Sequence, residues 1–513
     1  MPNRPMVSFI GAGPGDPGLI TVRGANSLGR ADVVVYDRLV QPSLLRYARA
    51  DAERIDVGRA APQGTARDAI AYLLLEKVRE GKRVARVKWG DPFVFDDGGE
   101  EALFLHEHGV RFEVIPGIPA ALGGPAYAGV AVTYRGGGDT VTLVRGNEDA
   151  AEDTPDLDWA SLAKLDGTIV CYAGPRQLPA MLAALRSHGR PDDEQVALIY
   201  NSTLPTQHTI AGTLASLANA ALPVESHPAI VVVGRVAGLR EHLRWFDVRP
   251  LSGKRVVVTR PREQARELVE LLEDQGADVL VAPTVRIAPP TGYETLDQAC
   301  AQIGNYDWVV LPTLAGTEVF LRRLLAGPND VRSLHGVGIC AIGQTSVDRF
   351  AALGIRVDAR PAEYTPEGIV EALAAERRLD GLRILIPRAE GVRDVLAAEL
   401  RRAGADVTEV AAYRIVKVLP GDDGEIDLYK KLLEQQVDIL LFGNPSTVRE
   451  FVDIYGADAL VDLLRTTLVA CIGPVTAQAL AAHGIRADVV AGEHTSIGLV
   501  AAIVRHVRAT KPA

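Results

Sequence analysis

The stretch VSFIGAGPGDPGLIT, Val7 to Thr21, decides how the first half of the chain is read. Val7, Ser8, Phe9 and Ile10 form a run suited to a buried parallel strand. Gly11, Gly13 and Gly15 follow, permitting φ values and close backbone approaches that side chains forbid. Something is expected to lie against that turn. Leu19 to Leu28 then reads as a helix and ADVVVYD, Ala31 to Asp37, as a second strand, so the segment is a strand, glycine turn, helix, strand unit.

Outward from it, apolar β-branched runs alternate with amphipathic helical stretches, the pattern of α/β layers with mostly parallel sheets. Strands are expected at Val33–Tyr36, Val84–Val87, Phe112–Ile115, Thr140–Val144, Thr168–Tyr172, Val196–Tyr200 and Ala229–Val233. The acidic segment NEDAAEDTPDLD, from Asn147, reads as a solvated linker between two lobes that split near 145–165. In RWFDVRPLSGKR, Arg244 to Arg255, a helix ends and Pro250, Ser252 and Gly253 precede a fresh strand, so the domains are expected to be 1–248 and 249–513.

Beyond that junction the chain repeats itself. IGQTSVDRFAALGIRVDARPAEYTPEGIVEALA from Ile342 matches IGPVTAQALAAHGIRADVVAGEHTSIGLVAAIV from Ile472. RVVVTRPREQARELVELLEDQGADV from Arg255 matches RILIPRAEGVRDVLAAELRRAGADV from Arg383, and YDWVVLPTLAGTEVF echoes VDILLFGNPSTVREF. Two copies of one α/β lobe are expected, with a ligand cleft between them.

At 513 residues the chain is too long for one core. Its net charge of −10 argues against a general nucleic-acid binder, which needs a basic face. Cys171, Cys300, Cys340 and Cys471 are scattered without metal-ligand or disulfide spacing, so no metal is expected and a reducing cytoplasm fits. No apolar run approaches the roughly 20 residues of a membrane span, and the N-terminus has no signal-peptide pattern. A nicotinamide-dependent dehydrogenase would rest on Gly11 to Gly15 alone and is disfavoured, because the second strand ends in YDRLV without the rest of that fingerprint.

GAGPGD, VYDRLV (Val35–Val40), RVKWGDPFVFDDGGEE (Arg86–Glu101) and VIPGIPAALGGPAYAGVAVTYRG (Val114–Gly136) together resemble the tetrapyrrole (corrin and porphyrin) methylases, specifically the uroporphyrinogen-III C-methyltransferases, over about residues 5 to 246. The resemblance implies a two-lobed, usually dimeric α/β fold that binds S-adenosylmethionine between its lobes. It also implies methylation of two carbons of uroporphyrinogen III to precorrin-2, on the route to sirohaem and cobalamin. It assigns Asp37 as proton acceptor, chemically sensible because C-methylation of a pyrrole must release a proton. Cofactor contacts fall to Gly11, Gly13, Pro14, Gly15, Asp16, Trp89, Gly90, Asp91, Val94, Pro119, Ala120, Ala173 and Ser202. Several positions depart from the pattern. Trp89 and Ser202 replace glycines, Arg59 a lysine assigned as proton donor, Pro119 a threonine and Ala173 a methionine, while Asp96 and Asp97 replace a small residue and a cation. Two expectations follow: a working methyltransferase, or a lobe pair that keeps the fold as a tetrapyrrole-binding or scaffold module.

VVVTRP, AEYTPEG, LIPRAE, VAAYRIV, NPSTV and CIGPVTAQAL, between Leu251 and about Arg508, resemble uroporphyrinogen-III synthase. That resemblance implies cyclisation of hydroxymethylbilane with inversion of the last pyrrole ring, without metal or organic cofactor. Tyr413 corresponds to the family tyrosine proposed to assist loss of the hydroxyl. Thr345, Ser446, Thr447 and Thr476 fall in loops after strands, where they cap helices, bind carboxylate arms, or both, with Arg260, Arg262 and Arg388 supplying charge-assisted bonds. Relatives often read FTSxNG where this chain has LPTLAG, Leu311 to Gly316. The expected partners are polycarboxylate tetrapyrroles.

Overall fold

The structure, a computed structural model, describes residues 6–60, 67–146, 157–174, 177–223, 228–361, 365–391, 395–418 and 426–510. The acidic linker from Asn147 therefore lies largely outside the described residues. The chain divides into two compact units, one of Met1–Val256 with Glu270–Val279 and Ile503–Ala513, the other of Val257–Val269 with Leu280–Ala502. No helix among the described residues is long and apolar enough to cross a membrane.

The first unit holds two sheets. Strands β1 (Val7–Gly11), β2 (Val33–Tyr36), β3 (Glu53–Asp56), β4 (Val84–Lys88) and β5 (Phe112–Ile115) lie in the order β3-β2-β4-β1-β5. Every pairing in it is parallel. β1 is buried along its whole length, as its apolar run requires. The following helix starts later than its periodicity predicts. Asp16 accepts a hydrogen bond from Gly18 N and closes a 3-10 turn over Pro17–Leu19, after which Thr21 caps a helix over Val22–Leu28. Two short polar side chains thus cut the predicted helix into two pieces.

The second sheet takes β6 (Val141–Val144), β7 (Thr168–Ala173), β8 (Gln195–Tyr200), β9 (His208–Thr213) and β10 (Ala229–Val233) in the order β6-β7-β10-β8-β9. Here the expectation of a mostly parallel sheet fails, because only β6–β7 is parallel while β7–β10, β10–β8 and β8–β9 are antiparallel. A seven-residue connection between β8 and β9 is too short for a helical crossover, so the chain can only turn back.

The second half adds β11 (Arg255–Val258), β12 (Asp278–Val281), β13 (Val285–Ala288), β14 (Trp308–Leu311), β15 (Gly338–Ala341), β16 (Arg383–Ala389), β17 (Asp406–Lys417), β18 (Ile439–Phe442), β19 (Leu468–Cys471) and β20 (Val489–Val490). They form two sheets, β12-β11-β18-β19-β20 and β13-β17-β16-β14-β15. Each contains the same core order, and the parallel Cys340–Ala359 bridge beside β15 is the counterpart of β20 beside β19. The duplication is therefore real in the fold, but the copies do not fold as separate lobes. The opening strands of the first copy, β11 and β12, join the closing strands of the second, and β16 and β17 of the second join β14 and β15 of the first. β17 is long enough to serve two partners: its first part pairs in parallel with β16, and its end, Arg414–Lys417, pairs antiparallel with β13.

Candidate functional site

In the first unit, the turns after β1, β4 and β5 pack backbone on backbone. Gly13 and Gly90 form a two-bond bridge, Gly13 N to Gly90 O at 3.2 Å and Gly90 N to Gly13 O at 2.9 Å, both residues at positive φ. A Cβ on Gly11 would lie 2.3 Å from Gly117 N, and one on Gly117 would lie 2.1 Å from Gly90 O. These glycines exist so that three loops can touch. The protein itself closes much of the turn. Gly15 abuts Ser202 O and Thr203 Oγ1, the Asp16 amide donates to Thr203 Oγ1 at 2.9 Å, and Tyr127 Oη donates to Asp16 Oδ2 at 2.8 Å.

Beyond that knot opens a cavity of about 320 Å³. Of the sequence-derived residues it is lined by Asp37, Trp89, Gly90, Asp91, Val94 and Ala120, and Asp96 also lies in its wall. Pro14 faces Trp89, whose indole N–H donates to Pro14 O at 2.9 Å while its ring stands edge-on to Tyr172. Asp91 works as a loop brace, accepting from Phe93 N and Gly117 N. Pro119 is the N-cap of the helix Ala120–Ala128 without a side-chain cap bond, and Ala173 is fully buried at the end of β7. Among the described residues the buried Ser202 hydroxyl has no hydrogen-bond partner, and it lies against Gly124. Arg59 is placed in the helix Val57–Ala60, but its side chain lies outside the described residues.

The cavity floor is a charge cluster that the motifs only half announce. Arg86 and Lys88 alternate on β4, so both project to one face of the sheet and both are buried. Arg86 Nε and Nη2 reach Glu101 Oε2 and Oε1 at 2.8 and 2.9 Å, and Nη2 also meets Asp37 Oδ1 at 2.7 Å. Lys88 Nζ lies 2.7 Å from Asp96 Oδ1, 3.0 Å from Glu101 Oε1 and 3.5 Å from Asp37 Oδ2. Arg86, Lys88 and Glu101 were missed as site residues. The available signal was two cations at strand spacing in a run otherwise as apolar as its neighbours.

Three carboxylates against two cations set the electrostatics. Burial opposes the charge on Lys88, and Arg86 adds to this, but the carboxylates win and its pKa is raised. Burial likewise works against Glu101, yet Arg86 and Lys88 hold its carboxyl below the usual range. Asp96 goes the other way: burial pushes it up to about 6 despite the Lys88 contact. Phe95, just before it, sits at φ 56°, a strained position for a bulky side chain and one that aims Asp96 into the cluster. A carboxyl whose folded pKa is raised costs stability above that pKa, and the cost disappears as pH falls through 6 toward 3.8. Asp96→Asn should therefore stabilise the first unit by about 2–3 kcal/mol at pH 8 and by almost nothing at pH 4, read as urea midpoints. A destabilised variant at pH 8 would show that the Lys88–Asp96 pair outweighs burial.

In the second half, the sheet order gathers Arg260, Ser446, Thr447 and Thr476 at the ends of β11, β18 and β19. Thr447 is held within its own turn: Asn444 Oδ1 takes its N–H and Oγ1–H at 2.8 and 2.9 Å and caps the helix Pro445–Tyr455. Ser446 Oγ also donates to Asn444 Oδ1, at 2.7 Å. Arg260 lies half-buried over Gly443, where a Cβ would sit 2.3 Å from its Nε, and burial lowers its pKa. Arg262 is exposed. Arg388, on β16, pairs with Glu409 and is thereby tied into its own sheet. Thr345 is exposed on the helix Gln344–Ala351, and Ser346 occupies the buried position that matches Thr476. Tyr413 is buried, with Oη 3.1 Å from Thr313 Oγ1, and lines a cavity of about 220 Å³ with Ile287, Pro289, Tyr293, Leu314, Ala315 and Val319. Thr313 was not singled out in the LPTLAG loop, although it is the residue that holds the tyrosine.

Comparison with known proteins agrees with both halves. The family model described as Tetrapyrrole (Corrin/Porphyrin) Methylases matches residues 6–218, and that described as Uroporphyrinogen-III synthase HemD matches residues 266–501. The Porphyrin biosynthesis protein HemD of Ruminiclostridium josui is 33% identical over 483 residues, 94% of each chain. The Uroporphyrinogen-III C-methyltransferase of Bacillus subtilis strain 168 is 36% identical over 335 residues, 64% of this chain and 68% of the relative. The Siroheme synthase of Neisseria meningitidis serogroup B, strain MC58, is 44% identical over 256 residues, 50% of this chain and 52% of that one. With one relative followed almost end to end and both family models met in order, the chain belongs to the family of porphyrin-biosynthesis proteins that fuse a tetrapyrrole methylase to a uroporphyrinogen-III synthase.

Proposed function

We propose that the chain catalyses two consecutive steps: its second half, 249–513, closes hydroxymethylbilane to uroporphyrinogen III, and its first half, 1–248, methylates that product to precorrin-2. The observation that carries this is that this chain matches the methylase model over 6–218 and the synthase model over 266–501, and follows the Ruminiclostridium josui porphyrin biosynthesis protein along both halves. A catalytically silent first half is not favoured, since the cavity keeps Asp37 beside a fully satisfied cation pair instead of collapsing around it.

The residues of the first cavity suit S-adenosylmethionine. Trp89, Phe95 and Tyr172 offer aromatic faces, Asp37 and Asp96 leave the cluster with an excess of negative charge, and both features favour a sulfonium cation. Pro14, Gly90, Val94, Ala120 and Ala173 would hold the cofactor, and when bound it supplies an electrophilic methyl group. Asp37 accepts the proton released at the methylated ring, Arg86 fixes the Asp37 carboxylate, and Arg38 and Arg145 at the cavity wall attract the carboxylate arms of the tetrapyrrole. In the second half, Tyr413 donates to the departing hydroxyl, while Arg260, Ser446 and Thr476 hold carboxylate arms. The first half would pair with a second copy, and the protein would work in the cytoplasm.

Calorimetric titration of the full chain with S-adenosylhomocysteine should give saturable heat, and addition of S-adenosylmethionine and uroporphyrinogen III should give precorrin-2 absorbance. Absence of both overturns the methyltransferase assignment. Formation of uroporphyrinogen I alone from hydroxymethylbilane overturns the synthase.

A further inference from the structure

The LPTLAG loop lacks the amide donor that Pro312 removes, and Ala315 offers no polar side chain. What remains is Thr313, and it is engaged twice. Its Oγ1 accepts from Gly316 N at 3.1 Å, capping the helix Leu314–Ala326, and it lies 3.1 Å from Tyr413 Oη. The backbone of Tyr413 is fixed independently, since Tyr413 O accepts from Glu390 N at 2.7 Å next to a register shift between β16 and β17.

A threonine hydroxyl has one proton and two lone pairs, and so does a phenol oxygen. The helix cap uses one lone pair of Thr313. If Tyr413 donated to Thr313, the phenolic proton would be consumed inside the loop and the Thr313 proton would need a further acceptor, for which the described residues show none. If Thr313 donates to Tyr413, the Thr313 proton has its acceptor and the proton left over is the phenolic one, which faces the cavity that Tyr413 lines with Ile287, Pro289, Tyr293, Leu314 and Ala315, where a substrate can take it. The cap thus orients the threonine, and the threonine orients the phenol.

We propose that Thr313 is a positioning residue for ring closure: by donating its hydroxyl proton to Tyr413 Oη it aims the Tyr413 proton at the leaving hydroxyl of the linear tetrapyrrole. This rests on the synthase assignment above. In the step itself, the C–O bond of the terminal hydroxymethyl group breaks with its electron pair going to oxygen, the Tyr413 proton completes a molecule of water, and the pyrrole nitrogen supplies electrons to the carbon left behind. The proton lost from the attacked ring carbon at closure returns to the Tyr413 oxygen, so atoms and charge balance. Thr313 stays hydrogen-bonded to the phenolate between those events. Burial raises the Tyr413 pKa, with the Thr313 bond opposing it, so the phenol is protonated at neutral pH and ready to donate.

The test uses the full chain with hydroxymethylbilane and compares Thr313→Ser, Thr313→Val and Thr313→Asp. Serine keeps donor and cap and should retain most of the activity. Aspartate keeps the cap but can only accept, so the protein should fold while kcat falls at least about tenfold, with KM little changed and uroporphyrinogen I rising. Valine should behave like aspartate in product ratio, with the alkaline limb of its residual rate moved to higher pH because the phenol has lost its donor. Equal loss in serine and aspartate variants, or wild-type product ratios in the aspartate variant, would overturn the role. If the unmodified chain makes no uroporphyrinogen III, the synthase assignment fails instead, and that is seen before any variant is made.

Discussion

Glu101→Gln should be the most damaging single change in the first unit, lowering its stability by about 3–5 kcal/mol at pH 7. Glu101 is 4% exposed and takes three charge-assisted bonds, two from Arg86 and one from Lys88. The glutamine fills nearly the same volume, so no cavity arises and the loss is electrostatic. Two buried cations would keep only Asp37 and the weakly acidic Asp96 as counter-charges. The sign with pH is fixed by the lowered Glu101 pKa: its contribution is full above the ordinary value of 4.5 and is lost as pH falls through the folded pKa. The wild-type and variant urea curves should therefore converge in acid. A difference below about 1 kcal/mol at pH 7 would mean that water screens the cluster as it does a surface pair.

Tyr413→Phe should have the largest effect on chemistry. It leaves the ring in place in the cavity wall and removes only the oxygen, so folding should be intact while ring closure slows by about 10²-fold. Because linear tetrapyrrole closes on its own without ring inversion, uroporphyrinogen I should become the main product, measured by chromatography of the oxidised porphyrins. Wild-type ratios of the two isomers would remove the phenol from the mechanism. The contrast with Thr313 is informative: the phenylalanine variant loses the donor, whereas the Thr313 variants lose its aim.

Much of this was legible in the chain. The run from Val7, the turn Gly11 to Gly15 and the valine-rich segments mark buried strands because a period of two or an unbroken apolar run is a local property. The order of the two families, the repeat beginning at Arg255 and Arg383, and Asp37 and Tyr413 as candidate groups were likewise readable from motifs. Boundaries were less so, as Asp16 and Thr21 show, because a single side-chain cap competes with helix periodicity and wins within one turn.

Other features depended on which distant segments pair. The repeat predicts two lobes, each from one copy, whereas the sheets combine β11 and β12 with β18 to β20, and β14 and β15 with β16 and β17. Sequence similarity records that two segments are alike and is silent on which partner each strand chooses. Arg260 therefore meets the NPSTV loop of the other copy, and Tyr413 meets Thr313. In the first unit the motifs supplied Asp37 and noted Asp96 as a departure, but only folding placed both around Lys88 at 3.5 and 2.7 Å. The sequence by itself determined the strands, the repeat and the residue types available for chemistry. The tertiary structure decided their partners and their charge states, because strand pairing, burial and ion pairing are set between residues tens to more than a hundred positions apart.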